Sequence, residues 1–93
     1  MSPFSPYVQF ISQLDQLVRQ PKDIGRVEFH GALEQAAKMF PGGPVVLQRH
    51  LAVTFHVSLP TVGRWISKQD SPDQAKFKSI LKAVGDEMWR LRP

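Results

Sequence analysis

Apolar residues recur along this chain with a period of about 3.6, the spacing that lines them up on one face of an α-helix, and no segment sustains the alternation of a half-buried strand. Phe10, Ile11, Leu14, Leu17 and Val18 form one such stripe, so a first helix is expected from about Pro6 to Arg19. Ser5 followed by Pro6 supplies a cap and a first-turn proline. Gln20-Pro21-Lys22-Asp23 breaks the pattern. A second helix is expected from Ile24 or Arg26 to Met39, capped by Asp23 and burying Leu33, Ala36, Phe40 and one of Val27 and Phe29. Pro41-Gly42-Gly43-Pro44 stops it. Three further helices are expected, from about Pro44 to Thr54, Leu59 to Ser67 and Pro72 to Leu91. The last opens on Ser71-Pro72-Asp73-Gln74, with a cap serine, a proline at the first helical position and a glutamine two further on. Its stripe is Phe77, Ile80, Leu81, Val84, Met88 and Leu91. The chain therefore reads as all-α, one compact five-helix domain over residues 1–93. Two N-terminal helices lie within 6–40 and the C-terminal helix over 72–91, with no repeat or linker and a mobile extreme N-terminus.

A chain of 93 residues is long enough for a modest hydrophobic core. With 42% hydrophobic and 22% charged residues, its composition is that of a water-soluble globular protein. No apolar run approaches the roughly 20 residues that span a bilayer, so no membrane partner is expected. Met1-Ser2-Pro3-Phe4-Ser5-Pro6 has neither the basic nor the apolar region of a secretory signal. The absence of cysteine removes disulfides, thiolate nucleophiles and cysteine-type zinc sites, which agrees with a reducing cytoplasm. His30, His50 and His56 include no pair at the i, i+4 spacing of a helical metal site. Neither a nucleophile elbow nor a phosphate-cradling glycine loop is present, and Pro41-Gly42-Gly43-Pro44 lacks donors where a phosphate would need them. No cofactor, metal, small-molecule substrate or enzymatic activity is expected.

Charge changes the picture more. From Met1 to Val46 four basic and four acidic residues cancel, whereas from Leu47 onward eight basic residues face four acidic ones, so the second half carries the whole +4. One basic half points to a polyanion met by a particular face, the alternative being a charged surface that only confers solubility.

Within that half, Gln48 to Ser67 holds the most informative pattern. Ala52 is a small residue able to let a second helix approach, and Leu51, Phe55, Val57, Val62 and Trp65 can enclose it. Phe55-His56-Val57 is the bend, and Ser58 caps the next helix. In this arrangement, and in Thr61-Val62-Gly63-Arg64-Trp65 followed by a helix opening at Pro72, the chain resembles the Cro/repressor-type (lambda-repressor-like) helix-turn-helix family of bacteria and phages. The resemblance covers about Leu47 to Val84. Two positions depart from the family, His56 at the bend and Lys68 after the second helix, both usually glycine. A positive φ is uncommon for residues with side chains, though histidine is among the more tolerated.

The resemblance implies that helix 59–67 enters the major groove of double-stranded DNA. With Val62, Trp65 and Ile66 turned inward, a step of about 100° per residue turns Pro60, Thr61, Gly63, Arg64, Ser67 and Lys68 outward. Arg64 carries a bidentate fork suited to guanine O6 and N7. Thr61 can reach a base or a phosphate. Pro60 and Leu59 suit a thymine methyl, although Pro60 equally fits a plain first-turn proline and Leu59 also falls on the Val62 side. Gly63 permits close approach, and Gln48 and Arg49 suit a phosphate. The candidate DNA-facing set is thus Gln48, Arg49, Ser58, Leu59, Pro60, Thr61, Gly63, Arg64, Ser67 and Lys68. Lys76 and Lys78 can add phosphate contacts or form a solvated face, as can Lys82. The family further implies a homodimer on a pseudo-palindromic operator, and Trp89, off the main stripe, either packs on the N-terminal helices or meets a second subunit. The implied activity is transcriptional regulation, a repressor occupying its operator in the nucleoid. The competing expectation is a module of the same fold that serves as an adaptor or antitoxin-like partner without binding specific DNA.

Overall fold

The computed structural model describes residues 5–93; the extreme N-terminus, expected to be mobile, falls outside the described residues. Five α-helices occur among them, α1 (Pro6–Arg19), α2 (Arg26–Met39), α3 (Pro44–Phe55), α4 (Leu59–Ile66) and α5 (Phe77–Arg90), with a 3-10 turn at Gln74–Lys76 and no strand. The arrangement is all-helical. Its radius of gyration is 12.6 Å, close to the roughly 12 Å of a compact chain of this length.

The helix starts follow side-chain chemistry. Ser5 Oγ accepts the Val8 N–H at 3.2 Å and Pro6 needs no donor, so α1 begins as expected. At α2 the expected Asp23 cap is replaced. Gly25 stands at the cap, and the Glu28 carboxylate reaches back to the Gly25 N–H at 3.1 Å, because Ile24 is pulled into the core and the chain turns helical only after it. Phe29 takes the core position and Val27 is 87% exposed. The last helix also departs from expectation. The Gln74 side chain donates to the Ile24 carbonyl at 3.0 Å instead of capping its own helix, and the chain passes through the 3-10 turn before α5 starts at Phe77.

One core gathers side chains from every helix, with Phe29, Leu33, Leu47, Leu51, Val62, Ile80, Leu81, Val84 and Met88 fully buried. Each such side chain contributes about 1.5–3 kcal/mol by leaving water. Phe29 stacks on Phe77 with centroids 4.2 Å apart. α1 lies along α5, and the Tyr7 hydroxyl closes that pair by donating to the Met88 carbonyl. Burial, and secondarily the Glu87 charge, raise the Tyr7 pKa. Lys78 Nζ donates to the Gln20 carbonyl at 2.6 Å, which ties the α1–α2 connection to α5. α4 packs on α3 and α2. With 8 residues, α4 is too short to persist alone, so its neighbours determine its position.

Candidate nucleic-acid interface

α3 and α4 meet around Ala52. Leu51, Val62 and Trp65 are buried beside it, and Phe55 and Val57 pack partly buried against the same core. Trp65 is 5% exposed, which assigns its indole to packing. Between the helices His56 adopts a left-handed conformation, φ 55° and ψ 45°, and the Val57 N–H bonds back to the Ala52 carbonyl at 3.1 Å. After α4, Lys68 is left-handed as well, at φ 68°. The two positions where the sequence departs from glycine are thus the two positive-φ residues with side chains among those described.

α4 is pinned at both ends by side chains. At its start Ser58 Oγ accepts the Thr61 N–H at 3.2 Å, and Gln48 Nε2 on α3 donates to the Leu59 carbonyl at 2.7 Å. Gly63 is part of that lock, since a Cβ there would lie 3.1 Å from Gln48 Nε2. At the far end His30 Nδ1 on α2 lies 3.0 Å from the Trp65 carbonyl. A carbonyl only accepts, so Nδ1 carries the proton. His30 is 7% exposed, with its ring edge against Phe29, and its Nε2 has no protein partner among the described residues. Lys68 Nζ pairs with Glu34 of α2 at 2.7 Å. Hydrogen bonding and charge from Lys68, then from Lys38, hold the Glu34 carboxyl below its ordinary value.

These contacts redistribute the expected set. Gln48 and Gly63 face each other, so the missing side chain at 63 makes room for α3. Lys68 is committed to Glu34, and Ser67 Oγ donates to the Arg64 carbonyl at 3.3 Å. Lys78 serves the fold, and Lys82 pairs with Asp86 at 2.8 Å. Arg49 and Lys76 remain exposed with no ion pair among the described residues. Leu59, at 46% exposure, and Pro60 are open to solvent at the start of α4.

Arg64 stands apart from the paired cations. Its side chain is exposed and has no carboxylate partner among the described residues; Nη2 instead donates to Thr61 Oγ1 at 3.4 Å, and Thr61 Oγ1 lies 2.7 Å from Ser58 Oγ. Its backbone is firmly held, its carbonyl accepting the N–H groups of Gln69 at 2.9 Å and Asp70 at 3.2 Å. The face formed by Leu59, Pro60, Thr61 and Arg64 therefore carries one unneutralised guanidinium group, and Arg49 on α3 carries another. Such a surface can meet an anion or a base edge without first breaking an ion pair.

The part that sequence reasoning missed is His30. Its spacing to Leu33 and Ala37, at i, i+3 and i+7, is the available signal that it belongs to the buried face of α2. Trp89 is 48% exposed and lines a groove of about 540 Å³ between α1 and α5, with the Arg92 guanidinium 3.9 Å above its ring. No helix among the described residues is long and apolar enough to cross a membrane. Compared with known proteins, the chain matches no family model, no curated protein and no solved structure.

Proposed function

We propose that this chain is a sequence-specific, double-stranded DNA-binding transcriptional regulator of the Cro/repressor helix-turn-helix type, a repressor that acts by occupying its operator. The observation that carries this reading is Arg64, exposed and free of any carboxylate among the described residues, on a helix whose opposite face is buried through Val62 and Trp65. In the major groove such a fork bonds guanine O6 and N7 together, a pair that separates guanine from other bases by about 1–3 kcal/mol. Thr61, Pro60 and Leu59 occupy the same end of the helix, with Leu59 and Pro60 suited to thymine methyl groups. Arg49 and Lys76 supply phosphate contacts that position the protein without reading sequence. No cofactor takes part, and the protein acts in the cytoplasm on the nucleoid.

A homodimer on a pseudo-palindromic operator belongs to this reading, with Trp89 and the α1–α5 groove as the surface for the second copy. Sedimentation as a monomer both free and on DNA would remove the dimer.

The test is Arg64→Ala. The expected result is a loss of about 1–3 kcal/mol in duplex affinity together with its base preference, while Arg49→Ala weakens all duplexes alike and lowers the salt slope by about 1. Unchanged affinity and preference in Arg64→Ala would overturn the reading. Exposed Val53 and Leu59 within the motif favour a second reading, an adaptor or antitoxin-like module whose partner is a protein. It predicts that Arg64→Ala leaves duplex binding unaltered.

A further inference from the structure

Arg64 is a long, rotamer-rich side chain, and a free guanidinium at the tip of such a chain loses much conformational freedom when it docks on a base. Here it is not free. Ser58, Thr61 and Arg64 follow one another at i, i+3 and i+6, so their side chains lie on one stripe of α4. Ser58 Oγ is anchored by the Thr61 N–H at 3.2 Å; Thr61 Oγ1 sits 2.7 Å from it; Arg64 Nη2 reaches Thr61 Oγ1 at 3.4 Å. Whichever hydroxyl donates to the other, Thr61 Oγ1 has two lone pairs and keeps one for Arg64. The relay draws the guanidinium toward the N-terminal end of α4, the end that a recognition helix turns toward the base edges.

Donor stoichiometry allows the relay and base reading together. A guanidinium has five N–H donors; one goes to Thr61, and one from each Nη remains for guanine O6 and N7. The contact is also unopposed, since no acidic side chain pairs with Arg64 among the described residues.

We propose that Thr61 is a specificity-determining positioning residue: its hydroxyl, fixed by Ser58, holds the Arg64 fork ready for a guanine, so that base discrimination at one position of each half-site depends on a residue that need not touch that base. This rests on the DNA-binding reading above and adds to it the residue that enforces the guanine preference.

The experiment uses the full chain. Random duplexes retained by the native protein supply the half-site, and the position that becomes indifferent in Arg64→Ala identifies where Arg64 reads. Four duplexes differing only at that base pair, plus an unrelated duplex, are then titrated with native protein, Thr61→Val and Thr61→Ser. Guanine is expected to be favoured about tenfold or more by the native protein. Thr61→Val is expected to lose most of that ratio, a loss larger than any change in its affinity for the unrelated duplex, and Thr61→Ser to restore it. Thr61→Ala provides the same comparison should valine disturb the helix by circular dichroism. A native guanine ratio in the valine and alanine variants overturns the proposal. So does an equal loss on every duplex, which would make Thr61 a merely structural residue. If the native protein prefers no sequence at all, the DNA-binding reading itself fails, and the role of Thr61 with it.

Discussion

Replacing His30 probes how the C-terminal end of α4 is held. The imidazole does two opposed things: Nδ1 bonds the Trp65 carbonyl at 3.0 Å, while Nε2 is buried without a protein partner among the described residues. The Trp65 carbonyl also accepts the Lys68 N–H at 3.3 Å, so losing His30 does not orphan it, and the lost bond is worth about 1 kcal/mol. Removing Nε2 recovers a desolvation cost of about 1–3 kcal/mol. His30→Leu fills similar space with no polar atoms, so it is expected to lie within about 1 kcal/mol of native, on the stabilising side. His30→Ala leaves a hole beside Phe29 and is expected to be about 2–4 kcal/mol less stable than His30→Leu. Urea titration followed by far-ultraviolet circular dichroism measures both, provided the slopes agree. In a domain of this size the gap between the two variants corresponds to at least about 10 °C in Tm. If His30→Leu falls as far as His30→Ala, then Nε2 is hydrogen-bonded and this account of the site is wrong.

Two further expectations concern the left-handed residues and the paired carboxylates. At His56, with φ 55°, glycine removes a backbone strain of about 1–2 kcal/mol but adds freedom to the unfolded chain, so His56→Gly is expected to stabilise by about 0.5–1 kcal/mol in the same titration; a loss would contradict the strain argument. At Lys68 the side chain also pairs with Glu34, so Lys68→Ala, which keeps the strain and loses the pair, should be the least stable of Lys68, Lys68→Gly and Lys68→Ala. Acid should weaken the fold through Glu34 and Glu87. Lys68 and Lys38 lower the first, and Arg90, mainly by its hydrogen bond, lowers the second, both below the ordinary value of 4.5. A lowered carboxylate stabilises the fold above its unfolded pKa, and that contribution is lost as pH falls through the folded one. The urea midpoint should therefore hold steady down to about pH 5 and drop below about pH 4.5, with a smaller drop in the Glu34→Gln, Glu87→Gln double variant. An unchanged drop in that variant would assign acid sensitivity to other groups.

The five helices were legible because their apolar stripes are long and their stops are firm; Ser5-Pro6 and Pro41-Gly42-Gly43-Pro44 act locally and need no tertiary partner. The start of α5 was misread for the opposite reason. Ser71-Pro72-Asp73-Gln74 has the local grammar of a cap, but the Gln74 amide is bound to the Ile24 carbonyl, 50 residues away. Asp23 failed as a cap because burying Ile24 delays the helix until Gly25, where Glu28 can reach back. At the candidate interface, periodicity correctly separated Val62 and Trp65 from Arg64. It could not show which cations already have partners. Lys68 meets Glu34 from α2 and Lys78 meets the Gln20 carbonyl, and such long-range partners leave no trace in spacing. Gln48 was read as a phosphate contact and Gly63 as facing outward, and the distance between them shows that they face each other.

The central claim is that the α4 face carrying Thr61 and Arg64 reads a duplex. The most direct measurement is selection from a random duplex library at about 0.15 M salt, where unspecific phosphate attraction is largely screened. The expected result is enrichment of a short inverted repeat with half-sites about one helical turn apart and a guanine at a fixed place in each. A library that stays flat, or that is retained only at low salt, would contradict it.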